Sequence, residues 1–287
     1  MPLHHPSRKW EGIIAPAVPR TACVSLWLPH AMMGFGLSIE PQLWTLLFAM
    51  IRIGAAFVAA PVFSAVSIPL PVRITLSAAI GLLVMNVAHI TPPPSIFSFT
   101  TIVMVASEAL IGLAMGFVLQ VAFSAPLVAS EVIGMGMGLG FANAIDPASG
   151  HPTPAIGQFL SMLLTLLFLA VDGHLVLVDL VVRSYEVMPP GAWVAPERLL
   201  GIAMFGGYAF LAGLLLALPV GFLLLCLNII VGMLSRAAPA LNLFAVGLPA
   251  SLAFGVVAIL IALPAMGDYL LIIIREALDA APTLVLG

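Results

Sequence analysis

A chain of 287 residues in which 62% of positions are hydrophobic and only 7% are charged cannot coat an ordinary globular surface, because a soluble domain carries about 25% charged residues. Together with a mean hydropathy of +1.22, this identifies an integral membrane protein or a subunit buried in a membrane-bound assembly, and it excludes a soluble enzyme. Nucleic-acid binding is excluded by the charges themselves: the net charge is -3, Lys9 is the sole lysine, and the arginines form no stripe that would neutralise phosphates.

Residues 1–36 carry Arg8, Lys9, Glu11 and Arg20 among repeated prolines and show no helical period. They read as a disordered extension, or as residues upstream of a start at Met32 or Met33; no small-residue cleavage pattern makes them a signal peptide. Residues 37–268 read as the main helical domain, and 269–287 as a short C-terminal helix and tail. Cys23 and Cys226 lie far apart in apolar stretches and read as free buried thiols.

Within the main domain, apolar stretches at 43–65 and 102–119 join four charge-free runs at 74–107, 147–171, 199–235 and 237–267. Each run exceeds the roughly 20 residues that cross a bilayer. Six or seven helices are expected, since strands with open edges do not survive in lipid and no alternating barrel pattern is present. The fold class is therefore all-α. Arg52, Glu108, Asp172 and Asp179 interrupt the apolar segments; charges at such depth face a protein interior or a water path. Arg52 is a mate for Glu108, and a structural ion pair is favoured over a proton relay. Pro61, Pro126, Pro219, Pro249 and Pro264 each remove a helix donor. As one helix, 199–235 would be about 55 Å long against a hydrocarbon core of about 30 Å. A hairpin bent at Pro219, its excess length packed on other subunits, is expected. The arginines near segment ends show no one-sided excess, so membrane orientation stays open.

Gly112 and Gly116 stand at the spacing of a helix-packing pair. Residues 120–131, with Pro126 and several small residues, are expected to fold back as an apolar hairpin tip suited to a plug, carrying Gln120 and Phe123. The run EVIGMGMGLGFAN that follows places Gly134 and Gly138 as one small-xxx-small pair and Gly136 and Gly140 as another, on nearly opposite helix faces. It lacks the context of a dinucleotide or phosphate loop. Helix packing is one reading of it; the other is a deformable seal of flexible side chains, Met135 and Met137. Asp146 before Pro147 starts a turn and caps it. Asp172 and His174 are two apart and match no zinc spacing, and His174 reads as a satisfied packing histidine. No catalytic arrangement, metal site or cofactor site is visible.

Four motifs in order, GLAMGFVLQVAF, EVIGMGMGLGFANAIDPASG, FLAVDGHLVLVDLVVRSYEVMPPG and ALPVGFLLLCLNIIVGMLSRAAPALNLFAVGLP, with APVFSAVSIPLPVRITLSAAI before them, resemble the flagellar biosynthesis protein FliR family over residues 39–266. The resemblance implies a subunit of the flagellar type III secretion export gate in the bacterial inner membrane. There one such chain joins several FliP and FliQ copies, with FlhB, FlhA and the basal-body ring as neighbours. Helices in that assembly form bent hairpins standing largely above the membrane plane. The gate passes unfolded rod, hook and filament proteins and is not an enzyme. By similarity the plug is 120–131 with Phe123; sealing by Met135 and Met137 is an extrapolation, because the family's methionine gasket belongs to FliP. Asn228, Arg236, Pro239 and Asn242 fit the family's late motif as packing and subunit-contact residues. A virulence-type injectisome subunit is the alternative within this class. A small-molecule secondary transporter is the alternative outside it, and it requires an internal repeat and a polar cluster that the sequence does not show.

Overall fold

Backbone groups in lipid must be satisfied within their own segment, and among the described residues all regular structure is α-helix. The computed structural model describes residues 39–87, 98–139, 155–237 and 243–287. The N-terminal extension, Gly140, Asp146, Pro147, Pro239 and Asn242 lie outside them. The described helices are α1 (Ile39–Ala59), α2 (Leu70–Val87), α3 (Phe99–Gly136), α4 (Ala155–Ala170), α5 (Gly173–Val187), α6 (Pro196–Phe205), α7 (Tyr208–Ala237) and α8 (Leu243–Val285). Among the described residues four stretches are long and apolar enough to cross a membrane, or five when the pair α4 and α5, bent by 64°, is taken as one span. The stretch 102–119, read above as a segment of its own, is only the first half of α3.

Helix α3 is the axis of the core. Every position from Ile111 to Gly136 along it is helical, and most of its side chains are buried. Ser98 caps its start by accepting the Thr101 amide. Glu108 lies opposite Arg52, Gly112 opposite Ala55 and Ala56, and Gly116 opposite Ala59 and Ala60, so α1 runs parallel to α3. Helix α2 returns antiparallel to α1, with Gly81 beside Leu46 and Met50, and Gly54 beside Ser77. Helices α4 and α5 run back along α3: Gly157 meets Ser130, and the Phe168 ring stands edge-on to Phe123 at 5.4 Å. Between them Asp172 adopts φ 55°, and Gly173 leaves room for the Phe168 ring. Helices α6 and α7 lie along α3 in its own direction, Gly213 near Ala125 and Leu224 near Gly136. Helix α8 then descends antiparallel to them, from Ser251 beside Asn228 to the carbonyls of Val285 and Leu286 beside Arg198.

Three expectations are corrected by this architecture. Residues 120–131 form no hairpin tip, because α3 continues straight through Pro126. The proline removes one helix bond, that to the Ala122 carbonyl, without ending the helix, and Gly213 of α7 packs beside this turn so closely that an added Cβ would sit 2.6 Å from the Val128 Cβ and 2.8 Å from the Ala125 carbonyl. Nor is there a hairpin at Pro219, which lies inside α7. The tightening falls instead at Gly206 and Gly207, whose amides bond to Ala203 and Met204, and α6 and α7 together make a 42-residue apolar stretch. Residues 269–285 continue α8 and form no separate helix.

At 1.5 Å per residue that stretch is about 63 Å long, roughly twice a hydrocarbon core. Only 22% of its most apolar part is buried within the chain, against 50% for α3. Phe210, Leu214, Leu218, Phe222, Leu225 and Ile229 stand open on α7. An apolar face this broad is covered by lipid or by other protein.

Candidate functional site

The two charges that interrupt the early apolar helices find each other. Arg52 on α1 and Glu108 on α3 are 0% and 1% exposed. Arg52 Nε donates to Glu108 Oε2 at 2.8 Å and Nη2 to Oε1 at 2.9 Å, a two-point pairing. The guanidinium also donates from Nη1 to Ser184 Oγ at 3.0 Å and from Nη2 to the Met188 carbonyl at 2.9 Å, and its carbon lies 4.1 Å from the centre of the Tyr185 ring. Tyr185 in turn donates to the Ala49 carbonyl at 2.8 Å.

The motif VMPPG completes this knot. The Ala192 amide bonds to the Pro189 carbonyl, and Gly191 has φ +87°, the pattern of a type II turn with proline and glycine at its centre. That conformation aims the Gly191 amide at Glu108 Oε1, 3.2 Å away, while Met188 presents its carbonyl to Arg52. Ser184, Tyr185, Met188 and Gly191 were missed in the sequence; the Pro-Pro-Gly turn was the available signal. Every partner in the knot is held by another, as an anchor requires.

Gly112 and Gly116 continue the same interface. A Cβ at Gly112 would lie 2.1 Å from the Arg52 carbonyl, and one at Gly116 would lie 2.6 Å from that of Ala56. The two backbones touch over Ala56 and Ala60, the parallel small-residue packing that holds helices together in lipid.

At its far end α3 closes with a Schellman turn. The Leu139 amide bonds to the Gly134 carbonyl at 2.9 Å, the Gly138 amide to that of Met135 at 3.1 Å, and Gly138 has φ +80°. Gly138 is therefore a helix stop, and the expected pairing of Gly134 with Gly138 on one helix face is not formed. Gly134 meets nothing closer than 3.8 Å, whereas Gly136 faces Leu224 closely. Asn228 donates to the Gly136 carbonyl at 2.9 Å and accepts from Ser251 at 3.1 Å, tying α3, α7 and α8 together. Met137 is buried, and Gly255 leaves the space its side chain fills. It packs inside the chain, while Met135 is 70% exposed.

Of the remaining expected site residues, Gln120 is exposed, Phe123 is half-buried against Phe168, and Pro126 is buried. Asp172 is exposed at the bend, not a buried charge, because its left-handed conformation turns it out of the helix. Among the described residues the buried Nδ1 of His174 has no hydrogen-bond partner, which departs from the satisfied packing histidine expected. Between Ile111 and Met137 the exposed positions of α3 are Leu113, Phe117, Gln120, Leu127, Glu131 and Met135, with Ser124 half-buried among them. Their spacing of three and four residues makes them a single stripe. Among the described residues no group of His, Cys, Asp and Glu is placed to hold a metal ion.

Knot, glycine seam and open stripe all lie within residues 43–277, which match the sequence profile of bacterial export proteins, family 1. The chain is 37% identical to the flagellar biosynthetic protein FliR of Pectobacterium carotovorum, over 80% of its own length and 88% of that protein. It is 38% identical to the Escherichia coli FliR, over 72% and 79%, and 31% identical to the Bacillus subtilis FliR, over 75% and 84%. With a profile covering most of its length and relatives this similar across most of theirs, the chain belongs to the bacterial export proteins of family 1, within the group of flagellar biosynthetic proteins named FliR.

Proposed function

We propose that this chain is the FliR subunit of the flagellar type III export gate and that it works as a structural wall of the gate, joined to FliP and FliQ homologues in the inner membrane beneath the basal body. The observation that carries this reading is the mismatch between helix length and cover. A helix pair about 63 Å long, open along most of its apolar surface, is too tall for a bilayer to shelter alone. Sister subunits with helices of similar height would cover the remainder. The fixed points within the chain are those of a scaffold: a buried ion pair with all partners in place, backbone-to-backbone packing, and a capped helix end.

Purification from membranes in mild detergent tests the reading. The chain is expected in a large complex with FliP and FliQ homologues, and its deletion should abolish motility and hook-protein secretion. A well-behaved monomer or small homo-oligomer that moves a metabolite would overturn it.

A further inference from the structure

We propose that the turn between α1 and α2, with Arg73 at its root, docks onto a helix of a neighbouring protein subunit that carries an aspartate or glutamate, and that Arg73 pairs with that carboxylate. The proposal rests on the export-gate reading and deepens it by naming a contact that fixes the chain to a sister subunit.

Residues 60–69 join α1 to α2 and contain no helix. Arg73, on the first turn of α2, reaches back to them: its Nη2 donates to the Ala65 carbonyl at 2.7 Å, and the same carbonyl accepts the Ile68 amide. Nothing else holds the guanidinium among the described residues. Its Nε is buried without a partner, and Arg73 joins no ion pair there. Arg52, by comparison, donates two bonds to a carboxylate, one to a hydroxyl and one to a carbonyl. The sequence around Arg73 supplies no counter-charge, since residues 53–107 include no aspartate or glutamate. A partly buried cation in an apolar hairpin is neutralised by a group from elsewhere.

The place of the turn in the fold points to protein as the source. Gly116 of α3 faces Ala59 and Ala60, where the turn begins. From that level α3 runs about 25 Å back to Phe99 and about 30 Å on to Gly136. The turn therefore stands at mid-height, and the amides of Val66 and Ser67 bond to nothing among the described residues. Irregular backbone beside tall apolar helices is not tolerated against hydrocarbon and persists where protein covers it. A lipid headgroup would instead be met by several basic or interfacial aromatic side chains. Between Arg52 and Arg183 the chain has no Lys or Arg besides Arg73, and residues 53–87 include no Trp or Tyr. What surrounds the cation is apolar: Val66 is fully exposed, and Leu70, Val72 and Ile74 are each half exposed or more. A helix presenting one carboxylate among apolar side chains matches that surface, as α3 with Glu108 matches Arg52 inside the chain.

Charge reversal and photocrosslinking in the assembled complex test the contact. Arg73→Glu sets like charges against each other across the interface, so the fraction of chain that co-purifies with FliP and FliQ homologues should fall at least about tenfold. Arg73→Lys, which keeps the charge without the planar fork, should retain more than Arg73→Glu does. Motile revertants of Arg73→Glu should carry an Asp or Glu of another subunit changed to Lys or Arg. As a second measurement, which stands even where Arg73→Glu is degraded, p-benzoylphenylalanine placed at Val66 or at Val72 with Arg73 intact should crosslink to a protein subunit. Crosslinks to phospholipid alone overturn the proposal, as do reversion confined to Glu11, Glu40 or Asp146 of this chain and an Arg73→Glu chain that assembles and secretes like the unsubstituted one. Secretion restored by the unsubstituted chain together with lipid-only crosslinks removes this inference alone, whereas an unsubstituted chain that assembles but never restores secretion removes the export-gate reading beneath it.

Discussion

Replacing Glu108 with alanine is the sharpest perturbation of the scaffold. The substitution withdraws both carboxylate oxygens from Arg52 and the acceptor of the Gly191 amide. A guanidinium with no exposure is left with Ser184 Oγ and the Met188 carbonyl as its hydrogen-bond partners. Breaking a buried pair by removing one partner destabilises by about 3–5 kcal/mol, because the other charge stays desolvated and uncompensated. Against a typical total of about 5–15 kcal/mol, this is enough to lower both the amount of chain in the membrane and the melting temperature of the purified complex. The paired replacement Arg52→Met with Glu108→Leu removes both charges and fills the space with apolar side chains; most of the lost stability should return, since neither desolvation penalty remains. Quantitative immunoblotting of membranes, thermal unfolding of the complex and hook-protein secretion read the three variants. A Glu108→Ala chain with unchanged level and melting would refute the anchor. A double variant that assembles and melts normally but no longer secretes would also refute it, by showing that the pair does chemistry beyond mutual neutralisation.

Other substitutions test the remaining contacts. Gly112→Leu forces α1 away from α3, because even a Cβ would lie 2.1 Å from the Arg52 carbonyl; a loss of more than about 3 kcal/mol, beyond ordinary overpacking, should appear as degradation of the chain in pulse-chase experiments. At Gly138, where φ is +80°, valine should destabilise the end of α3 by about 1–2 kcal/mol, whereas alanine at Gly136, facing Leu224 at 3.2 Å, should be milder in the same thermal assay. Asn228→Leu removes the donor to Gly136 and the acceptor of Ser251; a net change of about 1–2 kcal/mol should accelerate amide hydrogen exchange around 133–139 and leave the region of Glu108 unchanged.

How legible these features were depended on whether local chemistry or a distant neighbour decides them. Arg52 and Glu108 were readable as partners because two isolated charges in apolar segments have few other ways to be neutralised. The spacing of Gly112 and Gly116 was readable too, though its opposite wall of Ala56 and Ala60 was not. Pro126 and Pro219 misled for one physical reason: proline announces a missing hydrogen bond locally, while survival of the helix depends on the packing around it. Beside Pro126 the close neighbour is Gly213, 87 positions along the chain. Gly134 and Gly138 share the four-residue spacing of a packing pair, but the same spacing fits a helix stop, and only the backbone angle at Gly138 separates them. The members of the stripe recur at three- and four-residue intervals in the sequence, yet their direction became visible only once the neighbouring faces of α3 were seen to be packed.

Helices in lipid gain little from hiding leucine, because the surrounding tails are as apolar as the side chain. Association must come from close backbone packing and from polar groups with no better partner. This chain concentrates both on α3: glycine against alanine along α1, the Arg52 and Glu108 knot toward one end, and the Asn228 bond at the other. The exposed faces of α7 and α8 are rich in Leu, Ile, Val and Phe and carry little of either device. They therefore offer broad area with little orientation of their own, and the geometry of whatever covers them has to be imposed by the partner. A subunit divided in this way is rigid about α3 and permissive on its flank, so substitutions on the α7 face should be tolerated singly as long as they remain apolar. Those along α1 and α3 should not be, and a saturation scan scored by motility would show the division directly.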